Sequence, residues 1–169
     1  MEFWLYFNNH PQLTGYQIDV YDLFIMWFLY ETNSMSRWKD ELDVVPDSIS
    51  VPVCLPRKEL RGLPAQMLAR VDDDYTEIEG RFEKFQHIMD VSCSMKLSHV
   101  NWRDFRLAAA LIRSRWVMID DVEFLSNPPK WLKTGTPDDQ AGLAPYFDML
   151  NHGVSYNCSF GSVYTIYDY

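Results

Sequence analysis

The sequence of 169 residues is poor in basic side chains. It holds 15 lysines and arginines against 24 aspartates and glutamates, which gives a net charge of −9. A chain this acidic repels the phosphate backbone, so we do not expect nucleic acid as a partner. The charge agrees with cationic partners such as lysine-bearing proteins, while an acidic surface also serves solubility alone.

Cysteines and long apolar runs are also scarce. The three cysteines, Cys54, Cys93 and Cys158, form no C-x-x-C pair and no Cys/His metal pattern. Their spacing favours reduced thiols in a cytoplasmic or nuclear protein without a metal site. The longest apolar run covers only residues 23–30, whereas a membrane helix needs about 20 residues. Residues 1–7 lack the basic segment of a signal peptide, and we expect no membrane partner.

Apolar residues are plentiful and follow helical spacing in three places. The chain is 47% hydrophobic and 15% aromatic, which indicates one globular domain with a substantial core. Helical periodicity predicts helices over residues 16–31, from Pro64 to about Cys93, and from Asn101 onward. A short helix capped by Ser36 is predicted between the first two, and the run of three aspartates at 72–74 is predicted to face solvent.

Two residues of the helix predicted from Asn101 onward stand out. Asn101 is expected to cap its helix, with Asp104 three residues on. Arg115 lies about 60° beyond Ile112, at the edge of the buried stripe of that helix, where an arginine either covers apolar surface or meets a ligand. Residues 46–56 alternate apolar side chains between prolines, which predicts an extended connector or an edge strand.

Residues 143–153, LAPYFDMLNHG, set polar groups inside an apolar frame. Pro145 favours entry as extended chain or turn. Asp148 and His152 would share one face of a helical turn, and Asn151 and His152 can hold a ligand from two sides of a turn. Buried polar groups need partners, which here are either the protein's own backbone or a bound small molecule. A metal hydrolase built on Asp148 and His152 lacks a third ligand of suitable spacing.

The same segment resembles a motif of SET-domain protein methyltransferases, in the branch of the plant Rubisco large-subunit methyltransferase. The family pattern is aliphatic-x-P-x-x-D-x-x-N-H, and its Asn-His pair binds S-adenosylmethionine (SAM). The resemblance implies that the Asn151 side chain and the His152 backbone hold the adenine and amino-acid ends of SAM, and that Tyr146 and Phe147 line the mouth of the substrate channel. The matching positions are Leu143, Pro145, Asp148, Asn151 and His152.

Two further stretches resemble this family. The first, W-K-x-x-L-x-x-x-P followed by V-P-V-C-L, is similar to the family's helical insertion. The second, F-R-x-A-x-x-x-x-x-S/T-R, is similar to a family helix whose last arginine touches the SAM carboxylate. That second match implies Arg115 as a third cofactor ligand. The matching positions are Trp38, Lys39, Leu42, Pro46 and Pro52 in the first stretch, and Phe105, Arg106, Ala108, Ser114 and Arg115 in the second.

The resemblance implies an α+β fold that is mostly α. Residues 1–119 would form a helical insertion, residues 120–142 a loop, and residues 143–169 the start of an incomplete β-rich SET half (the β-clip) with a hairpin at 153–167. The family's G-x-G cofactor loop and the Y-G of its F-x-x-Y-G channel tyrosine do not occur in this chain. We therefore expect a fragment of a longer product or a shortened variant, without activity of its own and with unpaired strand edges.

The function that the resemblance implies is SAM-dependent protein-lysine N-methylation, with a histone or non-histone protein as the substrate. No catalytic residue is assigned, because the channel tyrosine of the family has no counterpart here. The alternative is a non-catalytic helical interaction module derived from such an enzyme.

Overall fold

A computed structural model describes residues 15–33, 42, 48–91, 97, 99–118 and 141–143, with the backbone alone at 91, 115–118 and 141–143. This part of the chain is mostly helical, as predicted. The Ser36-capped helix and the hairpin at 153–167 lie outside it, apart from Leu42, which is helical. The elements are helices α1 (Val20–Thr32), α2 (Ala65–Val91) and α3 (Trp102–Arg115), the 3₁₀ turn η1 (Pro52–Cys54), and strands β1 (Trp116–Met118) and β2 (Ala141–Leu143).

Helix α1 begins four residues later than predicted, because Asp19 caps it. The Asp19 backbone is extended, and its carboxylate accepts a hydrogen bond of 2.8 Å from the Asp22 backbone N–H. The Asp22 carboxylate accepts one of 3.2 Å from the Asp19 N–H in return. This reciprocal pair satisfies two donors that a helix start leaves open. At the other end, the Asn33 side chain donates to the Leu29 carbonyl at 2.7 Å.

Helix α2 follows the predicted seam. Its 27 residues span about 40 Å, and the chain enters it at Pro64, whose carbonyl accepts from the Met67 and Leu68 N–H groups. Asp72 and Asp73 are exposed, as expected, and Asp72 pairs with Arg57. The seam side chains are buried at Val71, Ile78, Phe85 and Met89 and partly buried at Tyr75 and Phe82.

Helix α3 crosses both other helices, and its predicted cap is present. The Asn101 side chain accepts hydrogen bonds from the Arg103 and Asp104 N–H groups at 2.9 and 3.1 Å. The middle of α3 is an alanine run, Ala108–Ala109–Ala110, which is at most 3% exposed. Such small side chains let α1 approach closely, and the Tyr21 hydroxyl donates to the Ala109 carbonyl at 2.9 Å.

The aromatic part of the core lies where α3 meets α2. The Phe105 ring centroid is 5.2 Å from those of Phe82 and Phe85, and Trp102 stands edge-on to Tyr75 at 5.3 Å. These spacings are typical of favourable ring pairs. The rings therefore fix how α3 lies on α2.

The predicted extended connector is interrupted. The backbone of Val51 and Leu55 is extended, but Pro52–Cys54 forms a 3₁₀ turn, closed by hydrogen bonds from Cys54 N–H to Val51 O at 2.8 Å and from Leu55 N–H to Pro52 O at 3.1 Å. The prediction of an edge strand is therefore wrong at Pro52–Cys54. The turn places Val53 in the core, where it is only 5% exposed. The burial of Val53 favours the turn over the strand that the alternating sequence predicts.

Strand β1 continues directly from α3 and pairs antiparallel with β2. The register places Trp116 opposite Leu143, Val117 opposite Gly142 and Met118 opposite Ala141. The β-rich half expected beyond Leu143 lies outside the described residues. Within the part that is described, no helix is long and apolar enough to cross a membrane.

Candidate functional site

The pairing of β1 with β2 brings the end of α3, where Arg115 lies, beside the start of the 143–153 segment. Arg115 is the last residue of α3, and the next residue, Trp116, lies opposite Leu143. The other predicted site residues, Tyr146, Phe147, Asn151 and His152, lie outside the described residues.

A compact group of opposite charges joins the start of α1 to the middle of α2. The Arg81 guanidinium lies 2.9 Å from an Asp19 carboxylate oxygen and 2.6 Å from an Asp22 oxygen, and the Lys84 ammonium lies 2.5 Å from the other Asp22 oxygen. We call these four residues the α1–α2 charge cluster. Its Arg81 and Asp22 side chains are only 14% and 6% exposed, so the charges interact with little solvent between them.

The charges of this cluster are held by their partners. Burial raises the pKa of the Asp19 carboxyl, but the hydrogen bond from the Asp22 N–H and the Arg81 charge lower it more, so the net pKa is below its usual value. Burial lowers the pKa of Arg81, while Asp22 and Asp19 raise it further than burial lowers it. Asp19 and Arg81 are thus held in their charged forms, which makes them poor proton-transfer catalysts. Together with the ion pairs to Asp22 and Lys84, they form a structural clamp between α1 and α2.

Tyr21 links this clamp to α3. The Arg81 guanidinium lies 4.6 Å from the centroid of the Tyr21 ring, in cation–π contact, while the Tyr21 hydroxyl donates to Ala109. Burial raises the Tyr21 pKa well above its usual value, more than the nearby Arg113 and Arg81 charges lower it. The phenol thus stays protonated and serves as a hydrogen-bond donor between α1 and α3.

Sequence reasoning missed this cluster. Asp19 and Arg81 are 62 positions apart, and no local pattern links them. One signal was available: Asp19 and Asp22 precede an apolar helical run at capping-box spacing. A second signal was the presence of two basic residues, Arg81 and Lys84, one helical turn apart beside an otherwise apolar seam.

A cleft of about 470 Å³ lies along the second half of α2. Its lining combines apolar side chains with charged or polar ones. It lies next to Val100, at the beginning of α3, and the length of α3 separates this end from Arg115 by about 20 Å. The cleft therefore lies at the opposite end of α3 from Arg115. Its lining residues are Glu83, Phe85, Gln86, His87, Met89, Asp90, Leu97 and Val100.

The described part of the chain contains no candidate metal site and no activated thiol. No group of three or more histidine, cysteine or acidic side chains there is arranged to hold a metal ion. The Cys54 sulfur lies 3.9 Å from the Arg106 carbonyl oxygen. Burial raises the Cys54 pKa more than the Arg106 charge lowers it, so this thiol stays protonated and unreactive.

The chain is similar to known SET domain-containing proteins. The chain is 31% identical over 128 residues to SET domain-containing protein 4 from Mus musculus, across 69% of this chain and 26% of the mouse protein. It is 24% identical over 117 residues to SET domain-containing protein 4 from Homo sapiens, with the same coverage of 69% and 26%. These similarities support a relationship to SET-domain proteins.

The predicted resemblance is thus supported at the level of the family, and the Rubisco-methyltransferase branch stays a prediction. The chain spans about a quarter of the length of the curated relatives it matches. No protein-family model matches it. No solved structure matches it significantly.

Proposed function

We propose that this chain carries part of a SAM-dependent protein-lysine N-methyltransferase of the SET class, in the Rubisco-methyltransferase-like branch. Arg115, Asn151 and His152 bind the cofactor, and Tyr146 and Phe147 line the mouth of the channel for the substrate amine. The helices α1 to α3 are the scaffold that holds Arg115 at the edge of this pocket.

One observation carries the proposal. The register of β1 and β2 sets Trp116 against Leu143, so the helix that ends in Arg115 and the segment that contains Asn151 and His152 meet at one place in the fold. A shared cofactor site requires the two motifs to lie close together, and this register supports that requirement. The similarity to two SET domain-containing proteins supports the SET class.

The residue types suit the two ends of SAM. A guanidinium pairs with a carboxylate through two parallel hydrogen bonds, which is the role proposed for Arg115. The Asn151 amide offers a donor and an acceptor to an adenine edge. SAM, when bound, supplies an activated methyl group. The protein's own part is to orient the cofactor, admit a lysine side chain and exclude water from the neutral amine.

The substrate we propose is a lysine-bearing protein, histone or non-histone, in the cytoplasm or the nucleus. The net charge of −9 favours encounter with a basic segment, because opposite charges raise association rates. Nucleic acid and membrane are not proposed as partners.

Calorimetric titration with S-adenosylhomocysteine tests the cofactor site. We expect weak binding by the wild-type chain, because it lacks the G-x-G loop that supplies backbone contacts in this family and leaves one wall of the pocket open. Arg115→Ala should weaken binding about ten- to a hundredfold, the value of a charge-assisted pair of about 1.5–3 kcal/mol. Arg103→Ala, an exposed arginine at the other end of α3, is the matched control and should bind like the wild type.

The alternative function, a non-catalytic helical interaction module, is favoured by the missing G-x-G and Y-G motifs. The same titration separates the two functions. Absence of any heat of binding at high S-adenosylhomocysteine concentration, from a chain whose far-ultraviolet circular dichroism is helical, would support the interaction module. Binding that does not differ between the wild type and Arg115→Ala would remove Arg115 from the site.

A further inference from the structure

The last turn of α3 is tied to α2 by Arg113. Its guanidinium lies 3.1 Å from a Glu77 carboxylate oxygen and 3.2 Å from an Asp74 oxygen. Burial lowers the pKa of Arg113, but the Glu77 and Asp74 charges raise it further, so the arginine stays charged. Two carboxylates one helical turn apart on α2 thus hold one arginine from the end of α3.

Glu77 connects this contact to the α1–α2 charge cluster. One Glu77 oxygen meets Arg113, and the other accepts a hydrogen bond of 3.1 Å from Arg81. Arg81 is itself fixed by Asp19 and Asp22 and is 14% exposed. An exposed ion pair normally loses energy to the ordering of two long side chains. Here Glu77 is already ordered by Arg81, so less of that cost falls on its pairing with Arg113.

The position of this tie matters for the proposed site. Arg113 lies two residues before Arg115, where α3 ends and β1 begins. Helix ends fray, since their last carbonyls lack partners within the helix. Positions 113 and 115 are about 200° apart around the helix axis, so a contact at 113 holds the last turn without occupying the face on which position 115 lies.

We propose that Arg113 is a positioning residue, which holds the end of α3 against Glu77 and Asp74 so that Arg115 is presented to the cofactor carboxylate. This role rests on the proposed function. It adds to that function a residue outside the pocket whose loss weakens cofactor binding while the helical core stays folded.

The test compares Arg113→Gln with the wild type in two measurements. Amide hydrogen exchange at the end of α3 should become about two- to fivefold faster, while exchange in α1 and α2 accelerates by no more than this factor, because a partly exposed ion pair contributes modestly. Affinity for S-adenosylhomocysteine should fall by a similar factor. Arg113→Lys, which keeps the charge, should retain most of the wild-type exchange protection and affinity. Arg103→Gln on the same helix should change neither exchange nor affinity.

Each outcome has a distinct meaning. Unchanged exchange at the end of α3 in Arg113→Gln would overturn the tie itself and leave the cofactor site standing. Faster exchange with unchanged affinity would overturn the positioning role. A wild-type chain that binds no S-adenosylhomocysteine would overturn the proposed cofactor site and the positioning role with it, whatever the exchange rates are.

Discussion

Asp19 performs two tasks with a single side chain. It caps α1 through the Asp22 N–H and binds Arg81 through both carboxylate oxygens, at 3.0 and 2.9 Å. Its side chain is 13% exposed. A buried carboxylate is tolerated only when its oxygens are satisfied, and here the cap and the ion pair satisfy them together.

Asp19→Asn separates these tasks, because asparagine caps a helix as well as aspartate does but carries no charge for Arg81. We expect it to lower the free energy of unfolding at pH 7 by about 2 kcal/mol, typical of a charged hydrogen bond. The pKa of Asp19 is lowered on folding, so its stabilisation is present above the unfolded pKa of about 3.9 and is lost as the pH falls through the folded value.

Urea unfolding at pH 7 and pH 3 measures both effects. The variant should lose less stability between the two pH values than the wild type loses. Asp73→Asn, at an exposed position of α2, should behave like the wild type. An equal loss in Asp19→Asn and wild type would show that Asp19 does not contribute to the acid dependence.

At the scale of the element, α2 continues through a glycine in its interior. Its 27 residues include Gly80, which costs about 1 kcal/mol in a helix interior. A methyl group added at Gly80 would meet no atom within 4 Å. Gly62 differs, because its φ is +103° in the turn that leads into α2. Tertiary contacts along the seam therefore hold α2 in spite of Gly80.

Gly80→Ala should stabilise the protein by about 0.5–1 kcal/mol, since it restricts the unfolded chain and fits the helix without a clash. Gly62→Ala should destabilise it by about 1–2 kcal/mol, because alanine pays a steric cost at positive φ. Thermal melts of the two single variants beside the wild type give both signs. A shift in the same direction for both would contradict this account of the two backbone positions.

The periodic elements could be predicted from the sequence, and the contacts between distant elements could not. The spacing of Ile78 and Phe85 marks the seam of α2, and Asn101 marks the start of α3, because both signals are local. The turn at Pro52–Cys54 was missed because the burial of Val53 against distant helices decides it. The pairing of Asp19 with Arg81 depends on how α1 lies on α2, which no local pattern encodes.

Of the predicted site residues, the structure describes only the backbone of Arg115. The motif match singled out Arg115 at the end of a helix, and α3 does end there. What the sequence lacked was the register of β1 on β2, which sets Trp116 beside Leu143. The roles of Asn151, His152, Tyr146 and Phe147 stay predictions. Arg113 was overlooked because its partners, Asp74 and Glu77, lie on another helix.

At the scale of the molecule, one core is shared by all three helices. Its buried side chains come from α1, α2, α3, the 3₁₀ turn and the residues before α3. Ile112, 1% exposed, lies in this core. Since no helix buries its apolar face alone, we expect the three helices to unfold together.

Ile112→Val tests this cooperativity with a small change. Removal of one buried methylene should cost about 1 kcal/mol, which makes the folded-to-unfolded ratio about fivefold smaller. The slowest-exchanging amides of α1, α2 and α3 should therefore all exchange about fivefold faster. Acceleration confined to α3 would show that α3 opens independently of the other two helices.

The hydrogen bond between Tyr21 and Ala109 can form only after both residues have been synthesised. These two residues are 88 positions apart, and synthesis at 5–20 residues per second takes about 4–18 s to cover that distance. During this interval α1 has left the ribosome with Ile25, Met26 and Leu29 uncovered, because α3 has yet to be made. Among the three described helices, α1 is the most apolar. It is synthesised well before α3, the helix that it contacts in the folded protein.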